Sequence, residues 1–112
     1  MRHWAEALAR THLEARGFAF LDANVVLPGG ELDLVMRHGR TIVFIEVRQR
    51  RSARYGSAAE SLTAAKRARL RRTARSWAVR RYGAADRPMR IDAVLVQGGP
   101  DRPRIEHLQD VA

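Results

Sequence analysis

Glu31, Asp33, Glu46 and Arg48 sit on two strongly apolar stretches, where a folded chain ordinarily buries hydrocarbon. Segments 32–36 and 42–47 are rich in Leu, Val, Ile and Phe and read as strands, with Arg37-His38-Gly39-Arg40 as a tight turn between them. With His38 and Gly39 as the loop, an antiparallel hairpin is predicted to oppose Val35 to Ile42, Asp33 to Phe44 and Glu31 to Glu46, with Asp33 diagonal to Glu46. Side chains alternate along a strand and opposed residues share a face, so Glu31, Asp33, Glu46 and Arg48 are predicted on one side of the sheet. Opposed like charges repel, and burying them without a partner is expensive. Something cationic must complete this face.

A divalent metal and Arg48 are the candidates. Mg²⁺ or Mn²⁺ is held by one or two carboxylates, with water and substrate phosphate oxygens in the remaining positions, and Asp33 and Glu46 are the expected ligands. The chain has no cysteine, which excludes a thiolate zinc site. The plainer alternative is that the acids are solvated at a strand end and neutralised by an arginine, with no chemistry.

At 112 residues the chain is expected to form one domain, 1–112, with a single core. No apolar run approaches the roughly 18 residues of a membrane span. Met1-Arg2-His3-Trp4 leads into a polar amphipathic helix rather than a signal-peptide core, so the expected location is the cytoplasm, in keeping with the lack of cysteine. A net charge of +9 points to a polyanionic partner, nucleic acid before a membrane surface.

Nearly all of that charge is arginine, and Lys66 is the only lysine. Segment 58–82 is rich in Ala, Leu and Arg, holds no Gly or Pro, and is followed by Gly83, so it is predicted to be the longest helix. At about 100° per residue, Leu62, Leu70, Thr73 and Trp77 form one stripe with Lys66 near its middle, while Arg67, Arg71, Arg72 and Arg75 fall away from it. Lys66 then aims at the carboxylate face, unless its stem carries the ammonium past its neighbours to water. The Arg67 and Arg71 side faces water or phosphate, and Arg50, Arg51 and Arg54, in a basic connection that also carries Tyr55, read either as contacts to a phosphate backbone or as a plain solvated linker.

Elsewhere, 2–16 reads as an amphipathic helix turning Leu8, Ala9, His12 and Leu13 inward, 18–27 as a first strand, 89–96 as a fourth and 104–108 as a short edge strand. The order is helix, three strands, helix, two strands: an α/β domain whose long helix covers the strands that carry the acids. Asp92, inside the fourth strand, reads as a structural acid paired with an arginine.

Gly30-Glu31-Leu32-Asp33-Leu34-Val35, then Val43-Phe44-Ile45-Glu46-Val47-Arg48-Gln49-Arg50, then Tyr55-Gly56, Glu60 and Lys66, resemble the YraN-like family of small predicted endonucleases. That family belongs to the restriction-endonuclease-like superfamily with the PD-(D/E)xK motif and is similar to archaeal Holliday junction resolvases. The resemblance runs from Glu6 to Asp92. It implies an αβββαβ core with a mixed sheet flanked by helices, Asp33 and Glu46 as metal ligands, Glu31 as a neighbouring acid and Glu6 as a helical glutamate approaching the same site. Arg48 departs from the superfamily motif, which usually has lysine there. An arginine stays protonated and stabilises charge on the phosphate, but it cannot act as a base. Lys66 is the residue placed to assist from the helix. Gln49 stands where the family usually has a small hydroxyl residue.

Two functions follow as expectations. One is a Mg²⁺- or Mn²⁺-dependent endonuclease hydrolysing DNA phosphodiester bonds, with branched or damaged DNA as the implied substrate, with Glu31, Asp33, Glu46, Arg48 and Lys66 at the centre. The other is a non-catalytic nucleic-acid-binding module on the same fold. Branch-cutting enzymes often work as symmetric pairs, so the resemblance also implies a homodimer.

Overall fold

A computed structural model describes residues 3–50 and 62–112. Helix α1 (His3–Glu14) is followed by strands β1 (Ala19–Leu27), β2 (Gly30–His38) and β3 (Thr41–Arg50), helix α2 (Ala64–Tyr82), and strands β4 (Met89–Gln97) and β5 (Arg104–Leu108). The strands form one sheet in the order β1-β2-β3-β4-β5. Among the described strands only the β3–β4 pair is parallel, and the passage through α2 supplies the crossover that a parallel pair needs. This is the mixed α/β sheet with flanking helices that the sequence predicts.

The strand period of two divides the core between the two helices. On one face Leu34, Met36, Val43, Ile45, Val47, Val94 and Val96 pack with Ala5, Ala9 and Leu13 of α1. On the other, Val35, Ile42, Phe44 and Ile91 pack with Ala74, Trp77 and Ala78 of α2. Asp33, Glu46 and Arg48 have the parity of the α2 face.

The β2–β3 register differs from the predicted one. His38 opposes Thr41 and Val35 opposes Phe44, so the loop is Gly39-Arg40 rather than His38-Gly39. Backbone geometry gives the reason. Gly39 has φ 61° and is the only hairpin residue in the left-handed region, the sign pattern of a tight turn with glycine first. The predicted loop would have put His38 in the position that Gly39 takes. The shift moves each pair by two residues, which preserves the faces. It makes Asp33 and Glu46 the next residues in step beyond the last pair, Leu34 with Ile45.

Helix α2 also starts later than predicted. Residues 58–61 lie outside the described residues, and Leu62 and Thr63 are not helical. The Thr63 hydroxyl accepts the Lys66 N–H as an N-cap, and the Gly83 N–H donates to the Val79 carbonyl at the other end. A side-chain cap offers the first turn a partner that a continued helix would have to replace.

Two contacts fix how α2 lies on the sheet. The Trp77 indole N–H donates to Asp22 Oδ2 at 3.0 Å, where β1 carries a register shift between Phe20 and Asp22, and the Trp77 ring meets Phe44 edge to face. Nearer the hairpin, a Cβ on Gly30 would fall on the Thr73 hydroxyl, so β2 approaches α2 more closely there than any side chain permits.

On the α1 face His12 is partly buried, and burial, followed by repulsion from Arg16 and His107, holds its pKa below the usual 6.5. Between the lowered value and 6.5 the unfolded chain binds more protons at this residue than the folded one. The His12 contribution to stability therefore increases with pH across that window and levels off above 6.5. Urea unfolding midpoints measured on both sides of 6.5 are expected to fall on acidification, and His12→Gln to flatten part of that fall. An unchanged slope would mean that His12 titrates alike in both states.

Candidate active site

The site forms where the β2–β3 ladder stops. Past Leu34 and Ile45 the strands no longer exchange backbone bonds, and the buried Asp33 carboxylate accepts the Val47 N–H through Oδ2 at 2.9 Å. An aspartate can end a ladder this way because its carboxylate replaces the missing carbonyl acceptor. A carboxylate offers about four acceptor sites, so this bond is compatible with cation ligation.

Among the described residues, Gly29, Gly30, Glu31, Glu46, Arg48, Leu62, Lys66, Arg69 and Leu70 line an open cleft of ≈ 480 Å³ between the start of β2, the end of β3 and the first half of α2. Glu46 and Arg48 are partly buried in its wall, with Arg48 Nε 3.6 Å from Glu46 Oε1. That separation makes an ion pair but is too long for a hydrogen bond, and the buried Nε has no hydrogen-bond partner. A buried unsatisfied donor is costly, and this one lies against Glu46 with almost no surface open to the cleft.

Of the residues singled out in the sequence, Glu31, Glu46, Arg48 and Lys66 meet at this cleft, and Asp33 stands next to Glu46 in strand register. Lys66 is largely exposed but lines the same wall. Glu6 is buried on α1, whose neighbouring buried residues pack on the other face. Arg67 and Arg71 are not among the lining residues. Arg71 instead borders a smaller hollow of ≈ 230 Å³ with Arg75, Met89 and Arg90. Arg51, Arg54, Tyr55, Gly56 and Glu60 lie outside the described residues, as does the side chain of Arg50.

The sequence reading missed Arg69. The signal for it was present: at about 100° per residue it lies about 60° from Lys66, nearer than Arg67, Arg71, Arg72 or Arg75. Asp22, which anchors Trp77, was also missed; an acid inside the apolar run 18–27 was its only mark.

The donor set around Asp33 and Glu46 is all oxygen. It suits Mg²⁺ or Mn²⁺ completed by water and phosphate oxygens, and it does not suit a metal that needs nitrogen or sulfur ligands. No group of three or more His, Asp or Glu side chains is disposed to hold a metal among the described residues; an ion held by Asp33 and Glu46 would take water and phosphate oxygens in its other positions.

The model of the uncharacterised protein family UPF0102 matches residues 5–96. The chain belongs to the UPF0102 family. Similar proteins include UPF0102 protein YraN of Escherichia coli O1:K1, 53% identical over 94 residues that cover 83% of this chain and 72% of that protein. The UPF0102 protein YraN of Shigella sonnei is 52% identical over the same shares. The matched segment of this UPF0102 member contains every residue of the cleft. No helix among the described residues is long and apolar enough to cross a membrane.

Proposed function

We propose that this UPF0102 protein hydrolyses phosphodiester bonds in nucleic acid, most directly DNA, with a divalent metal held by Asp33 and Glu46. The observation that carries the reading is the meeting of Glu46, Arg48 and Lys66 in one cleft, beside a strand end where Asp33 caps Val47. A Mg²⁺ or Mn²⁺ ion bound there supplies Lewis acidity and lowers the pKa of water. The chain's own side chains do the rest. Arg48 and Lys66, both in the cleft lining, stabilise negative charge on the phosphate. Arg48 remains protonated throughout and takes no proton from water.

Cleavage of labelled duplex, single-stranded, flap and four-way-junction DNA in Mn²⁺, Mg²⁺ or EDTA tests this reading. Cutting that requires the metal is expected, with the branched substrates the implied preference. Failure to cut any of the four with either metal would refute it.

A second reading is favoured by the internal partners of the acids: Val47 N–H on Asp33 and Arg48 beside Glu46. On that reading the fold is a binding module whose carboxylates are neutralised from within, and affinity falls steeply with salt without a metal requirement. Arg48→Lys separates the two. If the wild-type protein cuts, the lysine variant is expected to change the rate by less than the roughly 10²-fold typical of an added general base. If the wild-type protein only binds, a variant that gains cleavage identifies the arginine as the lesion.

A further inference from the structure

We infer that Lys66 and Arg69, one turn apart on α2, form a two-point clamp for consecutive backbone phosphates of the strand lying in the cleft, with Arg69 as its positioning residue. The inference rests on the proposed reading of the cleft as a nucleic-acid site. Three cations, Arg48, Lys66 and Arg69, line a cleft that presents two carboxylates, Glu31 and Glu46, and one of those carboxylates is already beside Arg48. The acids Glu31, Glu46 and the adjoining Asp33 all belong to the sheet, whereas α2 carries no acid, so the anion-favouring side of the cleft is the α2 wall. The side chains of positions 66 and 69 point to neighbouring parts of one helix face, separated by about 4.5 Å of rise. Two long, flexible stems on that spacing reach adjacent phosphates of one strand.

The clamp is independent of the carboxylates in a specific way. Arg48 stands on the floor of the sheet beside Glu46, whereas Lys66 and Arg69 stand on the opposite wall, which Gly30 and Thr73 hold close to β2. The Thr73 hydroxyl donates to the Arg69 carbonyl at 2.8 Å, so the backbone at Arg69 is tied down while the residue as a whole is exposed. Removing that guanidinium takes away a phosphate contact without removing a core contact. The five donors of arginine also hold phosphate in two-point geometry, which a lysine matches only in charge.

The test is binding of fluorescein-labelled 12-mer single-stranded and duplex DNA in EDTA, titrated over a range of salt, by wild type, Arg69→Ala, Arg69→Lys and Arg16→Ala. Arg16 follows α1, which packs on the other face of the sheet. Arg69→Ala is expected to reduce the slope of log affinity against log salt by about one counterion, to weaken binding several-fold, and to leave the thermal midpoint unchanged. Arg69→Lys is expected to restore most of the slope, and Arg16→Ala to alter neither quantity. Wild-type binding with an unchanged slope in Arg69→Ala, or an equal loss in Arg16→Ala, would overturn the clamp and leave the proposed function standing. Absence of wild-type binding to either DNA would also overturn the clamp, and the cleavage assay with metal on the four substrates decides the proposed function separately.

Discussion

Asp33→Asn is expected to abolish metal-dependent cleavage while leaving the protein folded at close to the wild-type midpoint. On the proposed function Asp33 has two duties, and the amide separates them. Its Oδ2 accepts the Val47 N–H at the end of the hairpin ladder, a bond that a carboxamide oxygen makes equally well. Its negative charge is what a hard divalent cation requires, and an amide oxygen is a far poorer ligand. Loss of the several kcal/mol that a Lewis acid contributes corresponds to a rate reduction on the order of 10³-fold. Asp33→Ala removes both duties. It leaves a buried N–H without an acceptor, which costs about 1–3 kcal/mol and lowers the midpoint by roughly 4–8 °C per kcal/mol in a domain of this size. Affinity for DNA in EDTA is expected to hold or rise in both variants, since each removes an anion near the backbone. Cleavage by Asp33→Asn within tenfold of wild type would remove Asp33 from the chemistry. Equal midpoints for the alanine and asparagine variants would show that the Val47 bond contributes little.

The same contrast between local signals and packing explains what could be read from the residues. Strands 32–36 and 42–47 were legible because both faces are covered, which leaves near-continuous apolar runs with acids as the only interruptions. The face shared by Asp33, Glu46 and Arg48 was legible too, because it depends on parity alone. The register was not, since it is set by which loop residue tolerates positive φ, and His38-Gly39 and Gly39-Arg40 look alike as strings of turn formers. The start of α2 was overestimated because Ala58, Ala59 and Glu60 are good helix formers, although the Thr63 cap was readable in the spacing from Thr63 to Lys66. The choice among the helix arginines was the hardest. All carry the same charge and propensity; the angle from Lys66 favours Arg69, but that angle is informative only once the seating of α2, fixed by Gly30 against Thr73 and by Trp77 on Asp22, turns Lys66 and Arg69 into the cleft and Arg71 toward another hollow.

Asp92→Ala is expected to be the most destabilising single change, and the site should survive it at temperatures where the fold does. The Asp92 side chain is fully buried on β4. Arg90 donates to both of its oxygens at 2.9 and 3.1 Å, His107 Nε2 lies 2.8 Å from Oδ2, and the Asp110 N–H donates to Oδ1 at 2.9 Å. One carboxylate thus joins β4 to β5 and to the segment after it, whose Val111 N–H returns to the Ile91 carbonyl at 2.7 Å. Truncation strands a part-buried guanidinium and a backbone N–H together, and breaking such a pair costs about 3–5 kcal/mol, a large share of the roughly 5–15 kcal/mol that holds a typical domain folded. Asparagine is a poor substitute here, unlike at Asp33, because its NH₂ would face a guanidinium or an N–H where the carboxylate presents an acceptor. Hydrogen exchange should report the damage first at the β5 amides and at Val111, and urea unfolding should give the total. Chain parity turns Asp92 itself away from the cleft: Ala93, which pairs with Glu46, lies on the α2 face and Asp92 points to the other, so the route from the lost carboxylate to the cleft wall runs through Val111, packed against the Leu62 cluster. The variant, assayed below its midpoint, is therefore expected to keep the cleavage and DNA affinity of wild type. A stability loss under 1 kcal/mol would mean that water satisfies Arg90 and His107 once the carboxylate is gone, and loss of cleavage from a folded variant would mean that the two faces of the sheet are coupled.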